Sequence, residues 1–380
     1  MHLYLHIPFC KQACHYCDFY FSTNLSRKTE LVAALCQEIT LRKNYLPTNH
    51  LDTIYFGGGT PSLLTAGELA EIFETIHRHF SVSPDAEITL EANPDDLTAE
   101  KLRTIHPFVN RLSIGIQTFN EAALRWMNRA HNATEAEYCV ALAQDADFDN
   151  LSVDLICGIP LITPPCGGED GIWPRDLEKM VALNVPHIST YALTIEPDTA
   201  FSRWTKTGKL PPMDENLAAE QIQDISKTLV ATGYEHYEIS SFGKPGHRAR
   251  HNTAYWQQRP YLGIGPSAHS YNGTSRQYNI SNNALYVKAI QQNDIPATIE
   301  HLTPADHLNE YLLTGLRTIW GCPIPELNRL LNGDFQEKQA RELAELYRAG
   351  WLLKTPDDRL LLTDEGQLFA DRVAATLFVE

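Results

Sequence analysis

Short apolar runs alternate with longer segments of helical periodicity through the first half of the chain. The pattern predicts six strands, at residues 3–7, 53–56, 87–91, 111–117, 151–156 and 187–195. It predicts helices between them, at residues 25–45, 65–80, 98–106, 121–128 with 134–144, and 174–183. A strand followed by a helix, repeated in this way, is typical of βα units on a parallel sheet. We therefore predict an α/β fold, a partial (β/α)6 barrel.

After the sixth predicted strand, the pattern of apolar residues changes at two points along the chain. A helix over 214–232 and a strand over 234–239 are predicted next, and from residue 302 amphipathic helices surround a hairpin at 351–363. These helices are predicted over 304–318, 325–331, 334–349 and 364–377, a winged-helix-like pattern. Such a domain often reads DNA, but its last helix is not basic, which favours a structural or lid role. We expect a barrel core over 1–232, a barrel extension over 233–301 and a mostly helical C-terminal domain over 302–380.

Polar and glycine residues concentrate where the predicted strands end. The sequence places Cys10, the glycines 57–59 with Thr60, Glu91, Gln117, Asp154 and Ala192 at or just after successive strands. In a βα barrel the carboxyl ends of the strands and the loops that follow them form the active face. The distribution predicts one functional site at that face.

Three cysteines, Cys10, Cys14 and Cys17, follow the first strand with the spacing C-x3-C-x2-C. Thiolates are soft ligands that suit iron–sulfur clusters, zinc or copper(I). A zinc site normally has four protein ligands, and here the set stops at three cysteines, with His6 and His15 nearby. An iron–sulfur cluster with one open iron fits the three thiolates, and three unrelated reduced thiols in a turn are the alternative.

The glycine run 57–59 allows a ligand to approach the backbone without obstruction by Cβ atoms. An ordinary glycine-rich turn would look the same. The spacing is not G-x-G-x-x-G and no P-loop lysine follows, so the run does not indicate a nucleotide-phosphate site.

The polar strand-end residues offer groups that can hold a small charged molecule. Glu91 can accept hydrogen bonds from a ribose or an ammonium group, and Gln117 can donate or accept. Arg129 can pair with a carboxylate, although an exposed helix arginine is the common case. Asp154 lies within an apolar strand, where an unpaired charge would be costly, so we expect it to face the barrel cavity.

A second informative stretch covers residues 240–270 and mixes basic, aromatic and histidine side chains. The relevant residues are Lys244, Arg248, Arg250, Arg259, His247, His251, His269, Tyr255, Trp256 and Tyr261. Imidazole is a standard axial ligand of haem iron, flat aromatic rings pack against a porphyrin, and arginines can pair with propionates. A loop whose aromatic residues only cover the end of the barrel is the alternative. Stacking on single-stranded nucleic acid is disfavoured by the acidity of the chain.

The net charge of −16 argues against broad binding to nucleic acid or anionic membranes. No run approaches the ~18 apolar residues of a membrane span, and the first residues do not resemble a secretory signal. Five of the eight cysteines are scattered outside the motif, which favours reduced thiols over a disulfide framework. We expect a soluble cytoplasmic protein.

The cysteine motif, with Tyr16 before its last cysteine, resembles the motif of the radical S-adenosylmethionine (SAM) superfamily. In that superfamily three thiolates hold a [4Fe–4S] cluster whose open iron chelates the amino and carboxylate groups of SAM. The sequence GGGTP at 57–61 resembles the glycine motif that contacts the SAM amino group. The resemblance implies that Cys10, Cys14 and Cys17 hold the cluster. It implies that SAM is lined by Tyr4, Tyr16, Gly58, Gly59, Thr60, Glu91, Gln117, Arg129, Asp154 and Ala192.

The opening sequence Y-x-HIPFC at residues 4–10 indicates one branch of this superfamily. It resembles the oxygen-independent coproporphyrinogen III dehydrogenases, but Phe19 stands where that branch has a fourth cysteine. The sequence HNTAYW at 251–256 matches the HNxxYW motif of the sister branch, the HemW-type haem chaperones. That resemblance implies haem contacts at His251, supported by Asn252, Tyr255 and Trp256.

The resemblance implies a haem chaperone that binds haem and transfers it to an acceptor protein, with a [4Fe–4S] cluster and SAM as cofactors. It admits an electron donor such as a flavodoxin or ferredoxin, and no nucleic-acid partner. A coproporphyrinogen III dehydrogenase, which performs a radical-SAM oxidative decarboxylation, is the first alternative. A radical-SAM enzyme acting on another substrate is the second. Catalytic activity is left open, and coproporphyrinogen dehydrogenase activity is not expected.

Overall fold

The strand that begins the chain lies in the middle of the molecule. The computed structural model describes residues 1–160 and 172–380. The proline- and glycine-rich sequence PPCGGEDG at 164–171 predicts a surface loop, and it lies outside the described residues. The strands of the main sheet are β1 His2–Ile7, β2 His50–Gly58, β3 Ser81–Ala92, β4 Arg111–Gln117, β5 Asn150–Cys157, β6 His187–Ala192, β7 Glu235–Glu238, β8 Ser241–Gly243, β9 Tyr261–Ile264, β10 His269–Tyr271, β11 Ser275–Asn279 and β12 Ala297–His301. The first ten helices are α1 Lys28–Leu41, α2 Ala66–His79, α3 Ala99–Ile105, α4 Glu121–Trp126, α5 Ala133–Asp145, α6 Trp173–Leu183, α7 Ala200–Lys206, α8 Glu215–Ala231, α9 Arg250–Trp256 and α10 Asn283–Gln291.

The six strands that the sequence predicts are neighbours in order, and every pairing from β1 to β6 is parallel. Side chains alternate along each strand. Leu3, Leu5 and Ile7 are fully buried in the core that the helices share, while Tyr4 and His6 point to the other face, where they line a cavity. The predicted partial (β/α)6 barrel is confirmed, and its interior cavity lies on the face opposite the apolar core.

Six further strands extend the sheet at both edges. Strand β9 pairs in parallel with β1, and β10, β11 and β12 continue from it in antiparallel order. At the other edge β8 and β7 add to β6. The sequence predicted β7 but not β8 or β9 to β12, because these strands are short and carry little apolar alternation. The HNTAYW sequence, which we expect to form a haem-binding loop of the barrel extension, instead lies on the helix α9, so that expectation is wrong.

The C-terminal part builds a second apolar core from helices and a small sheet. Its elements are α11 Pro304–Gly315, β13 Cys322–Pro323, α12 Ile324–Leu331, α13 Phe335–Lys338, α14 Ala340–Arg348, β14 Leu352–Lys354, β15 Arg359–Leu362, α15 Asp364–Gln367 and α16 Ala370–Thr376. The helix predicted over 334–349 is two helices, because Gln339 leaves helical geometry and its side chain donates to the carbonyls of Leu377 and Phe378. The helix predicted over 364–377 is likewise divided, after Gln367. The division of the chain into 1–232, 233–301 and 302–380 stays a prediction.

The second core is joined to the barrel through backbone and charge contacts. Ile239 N donates to Arg317 O at 3.1 Å, and Ile319 N donates to Tyr237 O at 3.1 Å. Arg276 on β11 forms an ion pair with Glu310 on α11. These contacts fix α11 against the barrel extension.

Among the described helices, none combines the length and the apolar character that crossing a bilayer requires.

Candidate functional site

The loop after β1 and the glycine loop after β2 are held together by backbone hydrogen bonds. Gly59 N donates to Ile7 O at 3.0 Å, and Thr60 N donates to Phe9 O at 2.7 Å. A Cβ atom on Gly59 would lie 2.7 Å from Ile7 O, so only glycine permits this approach. The Thr60 hydroxyl then donates to Cys10 Sγ at 3.4 Å. The glycine run therefore positions the first cysteine of the motif.

The three motif thiols are neighbours. Burial raises the pKa of Cys10 to about 11 and that of Cys17 to about 12, and in each case the nearby motif thiols add to the shift. The thiolate, not the thiol, is the form that binds a metal. A bound cationic centre would therefore have to offset the free-energy cost of deprotonating these buried thiols. Within the described ranges, no group of three His, Cys, Asp or Glu side chains is arranged to hold a single metal ion. In an iron–sulfur cluster each thiolate binds a different iron, so the donor set suits a cluster better than one ion.

The Arg129 guanidinium is fixed beside the cysteines. Its Nη1 donates to Cys14 Sγ at 3.5 Å and to the Tyr16 hydroxyl at 3.4 Å. Its Nη2 donates at 2.7 Å both to Asn93 Oδ1 and to Gly115 O. Its Nε is buried without a hydrogen-bond partner among the described residues. A buried positive charge beside three thiols fits an anionic cluster or a ligand carboxylate.

Gln117 ends β4 in a strained conformation. Its φ of 71° is left-handed, which non-glycine residues rarely adopt, and the β4–β5 register shifts at this point. The turn folds the Gln117 amide back over Gly115, where an added Cβ would lie 2.8 Å from Gln117 Nε2. Strain of this kind clusters at functional sites. Here the backbone turn places the Gln117 amide next to the Arg129 guanidinium, above Gly115.

Two half-buried carboxyl groups, Glu91 and Asp154, face the barrel interior. Glu91 accepts a hydrogen bond from the Tyr55 hydroxyl at 2.8 Å and from Gly58 N at 3.1 Å. Burial raises the pKa of Glu91 to about 7, and the nearby Asp154 adds to the shift. Burial also raises the pKa of Asp154 to about 6, against a hydrogen bond from Ser189. Val153 and Leu155, on either side of Asp154, are buried in the apolar core, so the alternation along β5 turns Asp154 to the interior face, as the sequence predicts.

The remaining residues of the predicted SAM set lie at two levels of the barrel. Ala192 ends β6 opposite Cys157, at the same sheet edge as the cysteine loop. Tyr4 lies lower, where its hydroxyl bonds His6 Nδ1 at 3.1 Å and its ring stacks on Tyr55. The structure thus places most of the predicted set around the cysteines and Tyr4 beneath them.

The helix α9 closes the barrel interior near the amino ends of β2 and β3. The backbone N–H groups of Arg250 and His251 donate to the Glu87 carboxylate at 3.0 and 2.9 Å. The His251 ring is buried, with Nδ1 2.6 Å from Thr53 Oγ1 and Nε2 2.8 Å from the Tyr255 hydroxyl. Burial lowers its pKa well below the ordinary value. His251 is therefore a neutral imidazole with both nitrogens engaged.

A cavity of about 730 Å³ connects the cysteine loop to α9. Its lining includes the predicted residues Tyr4, Glu91, His251, Asn252, Tyr255 and Trp256. The lining residues without a predicted role are Asp18, Tyr20, Tyr55, Tyr191, Gln258, Ser267, Tyr271, Arg276, Glu310, Leu313 and Thr314. The alternation along β1 and β2 would have identified Tyr55. No local signal brings α11 to this cavity. Phe19, at the position that the dehydrogenase branch fills with cysteine, also lines it and is 66% exposed.

The basic residues of the 240–270 stretch do not face this cavity. Arg248, Arg250 and Arg259 line a separate cavity of about 450 Å³ on the other side of α9. Lys244 instead donates to Asn184. Of the arginines and lysines in the described ranges, Arg276 lines the larger cavity. The expectation that the local arginine cluster faces the same space as His251 is wrong.

Comparison with known proteins is consistent with this geometry. A family model described as "Radical SAM superfamily" matches residues 4–164, and one described as "HemN C-terminal domain" matches residues 302–369. The chain is 34% identical to the protein named heme chaperone HemW of Mycobacterium tuberculosis H37Rv, covering 99% of this chain and 94% of that protein. It is 34% identical to the heme chaperone HemW of Bacillus subtilis, covering 97% of each.

Among solved structures, the coproporphyrinogen III oxidase HemN from Escherichia coli, described as a radical SAM enzyme, superposes with a TM-score of 0.83. The match covers 99% of this chain and 89% of that one at 22% identity, which shows a shared fold.

Proposed function

The chain belongs to the HemW family of the radical SAM superfamily, and on that premise we propose that it binds haem and transfers it to an acceptor protein. The cavity of about 730 Å³ carries this proposal, because it joins the cysteine loop to the HNxxYW helix. Its size is within the range of small-molecule and cofactor sites. Tyrosine and tryptophan side chains dominate its walls, and flat aromatic rings suit a porphyrin face.

The cofactor part of the proposal assigns the cluster to Cys10, Cys14 and Cys17. When bound, a [4Fe–4S] cluster would supply an open iron for SAM and a route for one electron. Arg129 would balance negative charge beside Cys14 and hold a ligand carboxylate. The others proposed to line SAM are Tyr4, Tyr16, Gly58, Gly59, Thr60, Glu91, Gln117, Asp154 and Ala192.

The haem part of the proposal assigns cavity walls to His251, Asn252, Tyr255 and Trp256. Trp256 stacks under the Arg317 guanidinium at 4.9 Å, which orients its ring. Its indole Nε1 is buried without a partner among the described residues. These four side chains would hold haem by shape and stacking.

The proposed haem-chaperone function also implies protein partners and a cellular compartment. The proposal includes a haem-acceptor protein and an electron donor such as a flavodoxin or ferredoxin. The cysteines in the described part of the chain are all free thiols, which is expected of a reducing compartment. We place the protein in the cytoplasm on that basis.

The experiment that tests the haem assignment compares His251→Ala with the unmodified protein after anaerobic cluster reconstitution. We expect haem affinity to fall by roughly tenfold or more, as for residues that support a metal-bound group, while iron and sulfide content stays the same. Unchanged haem affinity would remove α9 from the haem site. Loss of both haem and cluster would indicate a folding defect, and His251→Gln, which keeps a polar side chain, then serves as the second variant.

A further inference from the structure

We propose that His269, at the start of β10, supplies the imidazole nitrogen that binds haem iron in the larger cavity, while His251 holds the cavity wall in place. The inference rests on the proposed function, because it assumes that this cavity receives haem. It assigns the iron ligand to a residue outside the HNxxYW sequence.

Three imidazoles line the cavity, and two of them have no free nitrogen. His6 Nδ1 bonds the Tyr4 hydroxyl at 3.1 Å and its Nε2 bonds Tyr20 O at 2.9 Å. His251 is held by Thr53 and Tyr255 at 2.6 and 2.8 Å. Binding iron through either ring would break an existing hydrogen bond and leave a buried polar group without a partner, which is unfavourable.

His269 is in the opposite situation. Its side chain is exposed at the cavity wall, and its ring packs against Tyr278 with centroids 5.6 Å apart. Neither ring nitrogen has a hydrogen bond to any residue of the described ranges. A neutral imidazole nitrogen with an unshared lone pair is what haem iron requires from a histidine ligand.

The backbone of His269 is held by close packing against β9, although its imidazole nitrogens form no hydrogen bond within the described residues. Strand β9 approaches so closely that a Cβ on Gly263 would lie 1.9 Å from His269 O. The buried Ser270 hydroxyl accepts a hydrogen bond from Gly263 N at 2.9 Å. A ligand on a fixed strand with a free side chain is pre-organised for binding.

The surroundings of His269 suit an amphipathic planar ligand. Tyr271 and Tyr261 are aromatic wall residues of the same extension, and Arg276 on the next strand is a cation that a propionate can meet. Arg276 is shared with Glu310 and Glu300, so a propionate would have to compete with these carboxylates for it.

Ligation by an exposed residue would make transfer a ligand exchange. The bond between iron and the His269 nitrogen would break as a bond from iron to a ligand of the acceptor forms. The lone pair returns to the imidazole, and the oxidation state of the iron is unchanged. No oxidant or reductant is needed for this step.

The test titrates ferric haem into the cluster-reconstituted protein and into His269→Gly, and records electron paramagnetic resonance and resonance Raman spectra. His301→Gly is the matched control, because His301 is an exposed histidine on β12 that does not line the cavity. We expect His269→Gly to lose the histidine-ligated haem spectrum and roughly tenfold or more in affinity. Added imidazole should restore the spectrum, and the control should behave like the unmodified protein.

The outcomes separate this inference from the function on which it rests. If the unmodified protein binds haem and His269→Gly keeps the same spectrum, the ligand assignment is wrong and the haem function stands. If affinity falls but imidazole restores nothing, His269 acts only by position, which also overturns the assignment. If the unmodified protein binds no haem, both proposals fail. His269→Gln replaces the glycine variant if circular dichroism shows that the glycine disturbs the fold.

Discussion

The two ends of the barrel interior are built differently. At the cysteine end, Cys10, Cys14 and Cys17 come from one short loop, and their thiols contact Thr60, Arg129, the backbone of Phe19 and one another. At the α9 end, His251 is tied to Thr53 and Tyr255 across the fold. The cysteine end thus leaves its donor atoms available for a ligand, while the α9 end uses its histidine to hold the structure.

The contrast shows that a residue can belong to a family motif without offering an atom that binds a ligand. A cysteine motif predicts ligands directly, because thiols form few strong hydrogen bonds inside proteins. A histidine motif does not, because an imidazole can be fully satisfied by its neighbours. Whether a histidine nitrogen keeps a free lone pair depends on its contacts with β1, β2 and α9, and some of these contacts join residues that are distant in sequence.

The largest effect is expected from Cys14→Ala. Removing one thiolate of three should abolish the charge-transfer absorption of a thiolate-held iron–sulfur cluster and reduce bound iron to near zero. The measurement is absorption and iron analysis after anaerobic reconstitution, and Cys36→Ala on α1 is the control. An unaltered cluster spectrum in Cys14→Ala would break the assignment of the cysteine end.

The next effect concerns the anchor of α9. Glu87→Ala removes the acceptor of the Arg250 and His251 N–H groups and leaves the buried Arg111 charge without this neighbour. We expect a loss of about 3–5 kcal/mol in the free energy of unfolding, as for broken buried ion pairs. Chemical denaturation measures it. A loss below 1 kcal/mol would show that α9 does not depend on this carboxylate.

Thr53→Val removes the hydroxyl that bonds His251 Nδ1 and so tests whether this histidine binds iron when its nitrogen is free. The Thr53 hydroxyl lies 2.6 Å from His251 Nδ1 and 2.9 Å from His2 Nδ1, so its loss should cost about 1–3 kcal/mol of stability. The haem spectrum should not change if His251 is a wall residue. Thr89→Val is the matched control, because the buried Thr89 hydroxyl has no partner among the described residues. A new histidine-ligated spectrum in Thr53→Val would show that His251 can bind iron when freed.

The smallest effect concerns the pH dependence of the cofactor-free protein. The pKa of Glu91 rises from 4.5 in the unfolded chain to about 7 in the fold. The folded protein therefore keeps a proton that the unfolded chain releases, so stability falls as pH rises between these values and levels off above them. Glu91→Gln should remove the Glu91 contribution to this fall, with little change at pH 4 and a gain of about 1–3 kcal/mol at pH 8. Asp154, whose pKa burial also raises, still contributes to the fall in this variant.

Thermal unfolding at the two pH values measures this difference, and Glu100→Gln on the exposed face of α3 is the control. An equal change at pH 4 and pH 8 would show that the ionisation of Glu91 does not contribute to the stability of the fold.

Much of the cysteine end could be predicted from the sequence. Apolar periodicity located β1 to β6, and in parallel sheets the strand ends meet at one edge, so Glu91 and Gln117 were expected near Cys10. The left-handed φ of Gln117 could not be predicted, because it depends on the register between β4 and β5.

The α9 end was harder to predict from the sequence. Strands β9 to β12 have three to five residues each. They are defined less by their own pattern than by pairing, β9 with β1 and each later strand with the one before it. The arginines near α9 were expected at the haem side, but Arg250 turns towards Asp85 and Arg248 towards Glu235. The approach of Glu310 to the cavity arises from the packing of the second core against the barrel, which local sequence does not encode.

The central claim is tested most directly by haem titration and coproporphyrinogen turnover on one anaerobically reconstituted sample. The account predicts stoichiometric haem binding without conversion of coproporphyrinogen. Conversion without stable haem binding would contradict it and assign the protein to the dehydrogenase branch, in which case the role of Phe19 at the cavity rim would need a different explanation.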